Sequence, residues 1–282
     1  MNHEEHGKII MTAGVSNLKK AVLLLFLIIT AAVLTFRAAS RYADLEGLKP
    51  GSAQQSETGQ SAGFPAEGIP VLLYHSIRSE ANNPMCVFPE QFREEMDWLK
   101  EHKYHTLTLE EFYNTLTGGG EVPENPVLIT FDDGYADNYQ TAWPILRQHG
   151  FTAAFFIVTD YVGPYRISWE QLKELSQAGI SIGSHSVSHR DLSALTRKQQ
   201  EEELEVSRQL LEDNLGIPLR AFCYPYGKYN KTTMKLLGNL EYRMGFTTRP
   251  GRVHAGDDLF QLRRIYILGG IPLSEFIEKV SA

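Results

Sequence analysis

From residue 69 to the C-terminus, short apolar runs alternate with amphipathic stretches, and the two periods predict a regular succession of strands and helices. Strand patterns fall at 69–74, 127–131, 153–158, 180–183, 221–224, 242–247 and 261–268. Helical patterns fall at 89–101, 108–116, 136–149, 168–177, 196–214, 231–238 and 274–280. Pro89 opens the first helix, whose apolar positions are Phe92, Met96 and Leu99. Thr108 with Glu111 three residues on reads as a capped start, and Gly150, Gly179 and Gly216 read as stops.

Strand–helix alternation of this regularity predicts an α/β fold, a parallel sheet with helices outside it. If the sheet closes into a barrel, chemistry gathers at the carboxyl ends of the strands. The conspicuous polar groups sit at such ends: His75, Asp132 with Asp133, His185 with His189, and Tyr226. A doubly wound open sheet is the alternative architecture.

Residues 1–67 differ in kind. Lys19 and Lys20 precede an uncharged apolar run, Ala21 to Phe36, bounded by Arg37. With its small neighbours, the run nears the minimum length for crossing a bilayer. The expectation is a cytoplasmic N-terminus at 1–18, a transmembrane anchor at 19–39 and a flexible linker at 40–67, with the folded domain at 68–282. A cleaved signal peptide is the rival, since Ala38 to Ser40 offers small residues for cleavage. Either reading sends the domain outside the cytoplasm.

Composition narrows the function classes. The chain has 282 residues, 43% of them apolar, enough for a sizeable core. A net charge of −7 argues against a nucleic-acid binder. Neither a nucleotide-binding glycine pattern nor an internal repeat is present. Cys86 and Cys223 are the only cysteines, so disulfides do not hold the domain together, and two unpaired thiols are expected.

The candidate chemistry begins at Thr130-Phe131-Asp132-Asp133-Gly134-Tyr135. Side chains alternate along a strand, so adjacent acids can take separate tasks where a glycine lets the chain turn. Alone, the segment also reads as an Asp-Gly turn. A second strand runs into His185-Ser186-Val187-Ser188-His189. Histidines four apart on a helical turn can reach one metal, and together the two segments point to a mononuclear metal site.

These strings, with His189-Arg190-Asp191-Leu192 following and Phe222-Cys223-Tyr224-Pro225-Tyr226-Gly227 later, resemble the signature motifs of the polysaccharide deacetylases, the family 4 carbohydrate esterases. The resemblance spans about 69 to 278 and implies an incomplete (β/α)7 barrel with catalytic loops at the carboxyl strand ends. It implies Asp133, His185 and His189 as ligands of one divalent metal. One oxygen and two nitrogens suit zinc best, with cobalt, nickel or iron as competitors. It implies Asp132 as proton acceptor for the attacking water, the alternatives being a second ligand or a turn acid. It implies the Tyr226 N–H as oxyanion donor; Tyr224, Tyr226 and Tyr229 read equally as packing residues.

The chain also departs from the family. The arginine expected three residues before Tyr226 is Cys223, and Arg220 lies too far away to assume equivalence. The fourth motif is not visible, and the late Leu-x-His is replaced by Leu268-Gly269-Gly270. One branch, typified by deacetylases of poly-β-1,6-N-acetylglucosamine, shares those departures. It carries a Tyr-His pair on an early strand, here Tyr74-His75, and a late strand like Gln261-Leu262-Arg263-Arg264-Ile265. The resemblance therefore implies His75 as general acid, with His254 the next candidate. The expected activity is removal of acetyl groups from an N-acetylglucosamine-containing polysaccharide at the cell surface. Peptidoglycan, chitin oligomers, a non-sugar amide or a silent sugar-binding role are the alternatives.

Overall fold

The computed structural model describes residues 63–281. The segments read as cytoplasmic N-terminus and anchor, and the linker up to residue 62, lie outside the described residues. Among the described residues, no helix is long and apolar enough to cross a membrane. Phe64, in the stretch read as linker, packs against the core.

Seven parallel strands close on themselves. They are β1 (Val71–Tyr74), β5 (Pro126–Phe131), β6 (Ala154–Ile157), β7 (Ser181–Ser184), β8 (Ala221–Cys223), β9 (Met244–Pro250) and β10 (Leu262–Tyr266). Closure comes from β1, which pairs with both β5 and β10, Leu72 standing opposite Ile129 on one side and Ile265 on the other. The short strands β2 (Ser76–Ile77), β3 (Cys86–Val87) and β4 (His105–Thr106) were not predicted. β2 and β3 pair with each other above β1, and β4 adds to β5 from outside. Two residues give no readable alternation, which is why such strands escape a periodicity reading.

Alternation along the long strands sorts the apolar residues into two cores. Val127, Ile129 and Phe131 face the helices, joining Phe92, Met96 and Leu99 of the helix Pro89–Glu101. Val71, Leu128, Phe156, Ala221, Phe246 and Leu262 fill the barrel. Gly183 is there because a β-carbon would meet the Phe156 ring at 2.4 Å. Burying that phenylalanine contributes about 2–3 kcal/mol, so β7 gives up a side chain to accommodate it.

The helices begin where their caps predict. Thr108, Ser168 and Thr196 each cap the helix that follows with a reciprocal side-chain exchange, to Glu111, Gln171 and Gln199. The predicted helix at 136–149 is the exception. Its first turn, Asn138–Ala142, is a π-turn leading into Trp143–His149.

Candidate active site

The strand β5 delivers the acid pair. Leu128, Thr130 and Asp132 share the register that points into the barrel, so Asp132 caps the interior at its carboxyl end, 2% exposed. The chain turns at the next residue. Asp133 has φ of 72° and Gly134 φ of 63°. That left-handed step swings the second carboxylate out of the strand's alternation and separates the two acids.

Asp132 is held by an arginine that the sequence reading did not single out. Arg264 on β10 lies inside the barrel, 1% exposed. Its Nη1 donates to Asp132 Oδ1 at 2.8 Å and to Thr130 Oγ1 at 3.2 Å. Its Nη2 donates to Asp132 Oδ2 at 2.7 Å and to Cys223 Sγ at 3.0 Å, and its Nε to Thr247 O at 2.8 Å. Every N–H of the guanidinium thus finds an acceptor. Burial pushes the Asp132 carboxyl upward, but the Arg264 charge and its hydrogen bonds outweigh it and hold the group well below the usual carboxylate range. Asp132 is therefore ionised and can only accept a proton.

The histidine segment is not a helical turn. His185 follows β7 directly, and the chain to His189 is irregular, with φ of 72° at Ser186 and 58° at His189. The expectation failed because a spacing of four is satisfied equally by a loop held from outside. His185 Nδ1 lies 2.7 Å from the Cys223 carbonyl, which only accepts, so Nδ1 carries the proton and Nε2 presents its lone pair. His185 Nε2 and His189 Nε2 approach Asp133 Oδ1 at 3.5 and 3.3 Å. Burial presses His189 toward the neutral form.

Among the described residues, two donor sets could hold a metal ion: Asp133, His185 and His189, or Asp132, His185 and Cys223. The second does not fit. Both Asp132 oxygens and the Cys223 sulfur already face the Arg264 guanidinium, which would repel a cation, and burial keeps the thiol protonated. The first fits, because Asp133 Oδ1 is buried with no hydrogen-bond partner and two imidazole nitrogens converge on it. Cys86 and Cys223 are both free thiols.

His75 directly follows β1, beside this cluster. Burial lowers its pKa, opposed by the charges of Asp132 and Asp133. The Tyr266 ring lies parallel to it at 5.4 Å between centroids. The Tyr266 hydroxyl lies 3.4 Å from each of the two imidazole nitrogens. Two residues of the turn after the acid pair hold the His75 segment. Asn138 donates to His75 O at 2.7 Å, and Asp137 accepts from Ser76 Oγ and the Ile77 N–H. The π-turn at Asn138–Ala142 follows directly from this anchor.

Tyr226 stands at the rim, 61% exposed, its ring edge-on to His189 at 4.5 Å. Its φ of 58° turns the third motif toward the site. Tyr224 and Tyr229 are packing residues, stacked at 4.4 Å. His254 is elsewhere: Val253 bridges Ile69, before the start of β1, at the opposite end of the barrel. That position removes it as a candidate acid.

Fold and cluster together define a barrel hydrolase with its chemistry at the carboxyl ends of the strands. Residues 119–245 match the polysaccharide deacetylase family profile. A Bacillus subtilis protein, YxkH, whose name places it among the polysaccharide deacetylases, is 38% identical over 209 residues, 74% of each chain. The poly-β-1,6-N-acetyl-D-glucosamine N-deacetylase of Staphylococcus epidermidis is 26% identical over 248 residues, 77% of this chain and 84% of that one. The Streptococcus pyogenes deacetylase PplD, solved in complex with acetate, has a TM-score of 0.72 at 30% identity, over 76% of this chain and 98% of its own. The chain belongs to the polysaccharide deacetylase family and is an enzyme of that class.

Proposed function

We propose that this chain is a metal-dependent N-deacetylase of an N-acetylglucosamine-containing polysaccharide, anchored by residues 19–39 with its catalytic domain outside the cytoplasm. The observation that carries the reading is the convergence of the unpartnered Asp133 Oδ1 with the Nε2 atoms of His185 and His189, beside an ionised Asp132. Those three residues would hold a divalent ion, zinc by the chemistry of the donor set, which when bound supplies Lewis acidity toward the acetyl oxygen and its water.

The other residues divide the proton traffic. Asp132 takes the proton of the attacking water; its grip by Arg264 keeps both oxygens fixed during the transfer. The Tyr226 N–H has no protein acceptor among the described residues and is offered to the oxyanion as the carbonyl becomes tetrahedral. His75 gives a proton to the nitrogen as the C–N bond breaks, releasing acetate and a free amine on the sugar. Poly-β-1,6-N-acetylglucosamine is the substrate favoured by the named activity of the Staphylococcus epidermidis relative.

The test is acetate release from β-1,6-linked polymer, peptidoglycan and chitin oligomers, with and without chelator. The expected result is release from the β-1,6 polymer that chelation abolishes and added zinc restores. Release that survives full chelation would remove the metal from the reading, and faster release from another polymer would replace the substrate.

A further inference from the structure

The site's two histidines hang on a segment without regular secondary structure, and two of its residues, Ser186 and His189, hold left-handed backbone values of 72° and 58°. Non-glycine residues stay there only when their surroundings dictate it. The loop's polar groups show what does so. On one side, the amides of Thr159 and Asp160 donate to the Ser186 and Val187 carbonyls at 3.2 and 2.9 Å. Within it, the His189 N–H donates to Ser186 Oγ at 2.9 Å.

On the other side stands one carboxylate. Glu203 Oε2 accepts from the N–H groups of Val187 and Ser188 at 3.0 and 2.9 Å, and its Oε1 accepts from the Ser188 hydroxyl. Glu203 projects from the helix Arg197–Leu215 and is 6% exposed. Among the described residues it has no cationic partner. A buried carboxylate without a cation is unfavourable unless hydrogen bonds compensate it, and the donors that do so all come from the histidine loop.

We propose that Glu203 is a positioning residue for this loop and that it sets the protein's affinity for a divalent ion. The inference rests on the metal reading above. His185 has a second support, its Nδ1 bond to the Cys223 carbonyl, whereas His189 depends on the loop's own course. Releasing Val187 and Ser188 therefore lets the Nε2 of His189 leave Asp133 while His185 stays. The contribution is geometric: an amide at position 203 can present its oxygen to both N–H groups and its NH2 to the Ser188 hydroxyl.

The test is titration of the metal-free full-length protein with Zn²⁺ against a chromophoric chelator, for wild type, Glu203→Ala, Glu203→Gln and Ser188→Ala. Circular dichroism verifies that each variant is folded. Glu203→Ala is expected to weaken zinc binding by about 10–100-fold. Glu203→Gln is expected to stay within about threefold of wild type, and Ser188→Ala to lose about fivefold. Folded Glu203→Ala with wild-type affinity overturns the inference, and so does Glu203→Gln falling as far as Glu203→Ala. If Glu203→Ala does not fold, unchanged affinity in Ser188→Ala overturns it instead. Wild type that binds no zinc overturns the metal reading as well. Wild type that binds one ion but releases no acetate leaves this inference standing and overturns the proposed reaction alone.

Discussion

Arg264 grips both oxygens of Asp132, at 2.8 and 2.7 Å, from inside the barrel and from a strand two removed from β5. A fork of this kind fixes the plane of the carboxylate as well as its charge, which a lysine cannot do.

Arg264→Lys is therefore expected to lower turnover by about 10² or more while leaving metal content unchanged, because the base is misplaced and the ligands are not. Arg264→Ala should additionally cost about 3–5 kcal/mol of stability, since it leaves Asp132 buried without its counter-charge. Steady-state rates, elemental analysis and urea melts check the two variants. Wild-type turnover in the lysine variant would show that the fork plays no part in the chemistry.

Asp132→Asn keeps the shape and removes the basicity. Turnover should fall by roughly 10² or more with the metal retained. Loss of metal together with activity would make Asp132 a ligand and end the division of labour between the paired acids.

The parallel sheet was legible because its strands repeat one grammar, short apolar runs that give way to polar residues, and each polar candidate sits at or just after such a stop; its closure into a seven-stranded barrel came only from the family resemblance. The acids and histidines come together as their strand ends imply. Arg264 was not legible because an arginine inside a barrel contradicts the apolar-inside rule, and only its partner across the lumen explains it. Two clues were present: Cys223 occupies the position where the family carries an arginine, and the late strand that resembles the poly-β-1,6-N-acetylglucosamine branch contains Arg264. Glu203, Asp137 and Asn138 were hidden for a similar reason. Each acts on backbone groups of a segment its own neighbourhood in sequence does not contain, and no periodicity encodes such a contact.

Glu95 offers a test of the core independent of the reaction. It is buried on the helix Pro89–Glu101 and accepts from the Tyr74 hydroxyl and from Gln91, each at 2.8 Å. Burial, opposed by those two hydrogen bonds, raises its pKa from 4.5 to about 7. The folded protein thus keeps a proton that the unfolded chain has lost, and stability falls as pH rises across that interval. The cost, on the order of 3 kcal/mol, is complete above the folded pKa and absent below the unfolded one. Glu95→Gln should therefore stabilise the protein more at about pH 8 than at about pH 4.5. Urea unfolding of both proteins at both pH values measures the difference, and equal increments would mean that Glu95 is not held neutral by its site.

His75 makes the sharpest demand on the mechanism. An amide nitrogen leaves poorly unless it is protonated as its bond to carbon breaks, whereas a nitrophenolate leaves without a proton. His75→Ala should therefore cost roughly 10²–10⁴ on an N-acetyl sugar and far less on an aryl acetate. Asp132→Asn should damage both substrates, because each needs the attacking water. The comparison also separates chemistry from packing, since His75 lies against Tyr266 and its carbonyl accepts from Asn138. A side chain that merely supports the mouth of the barrel would, when removed, slow the two substrates alike. Equal losses would thus assign His75 to the scaffold. With His254 at the far end of the barrel, the proton for the leaving nitrogen would then have to come from the carboxyl group formed when Asp132 accepts the proton of water.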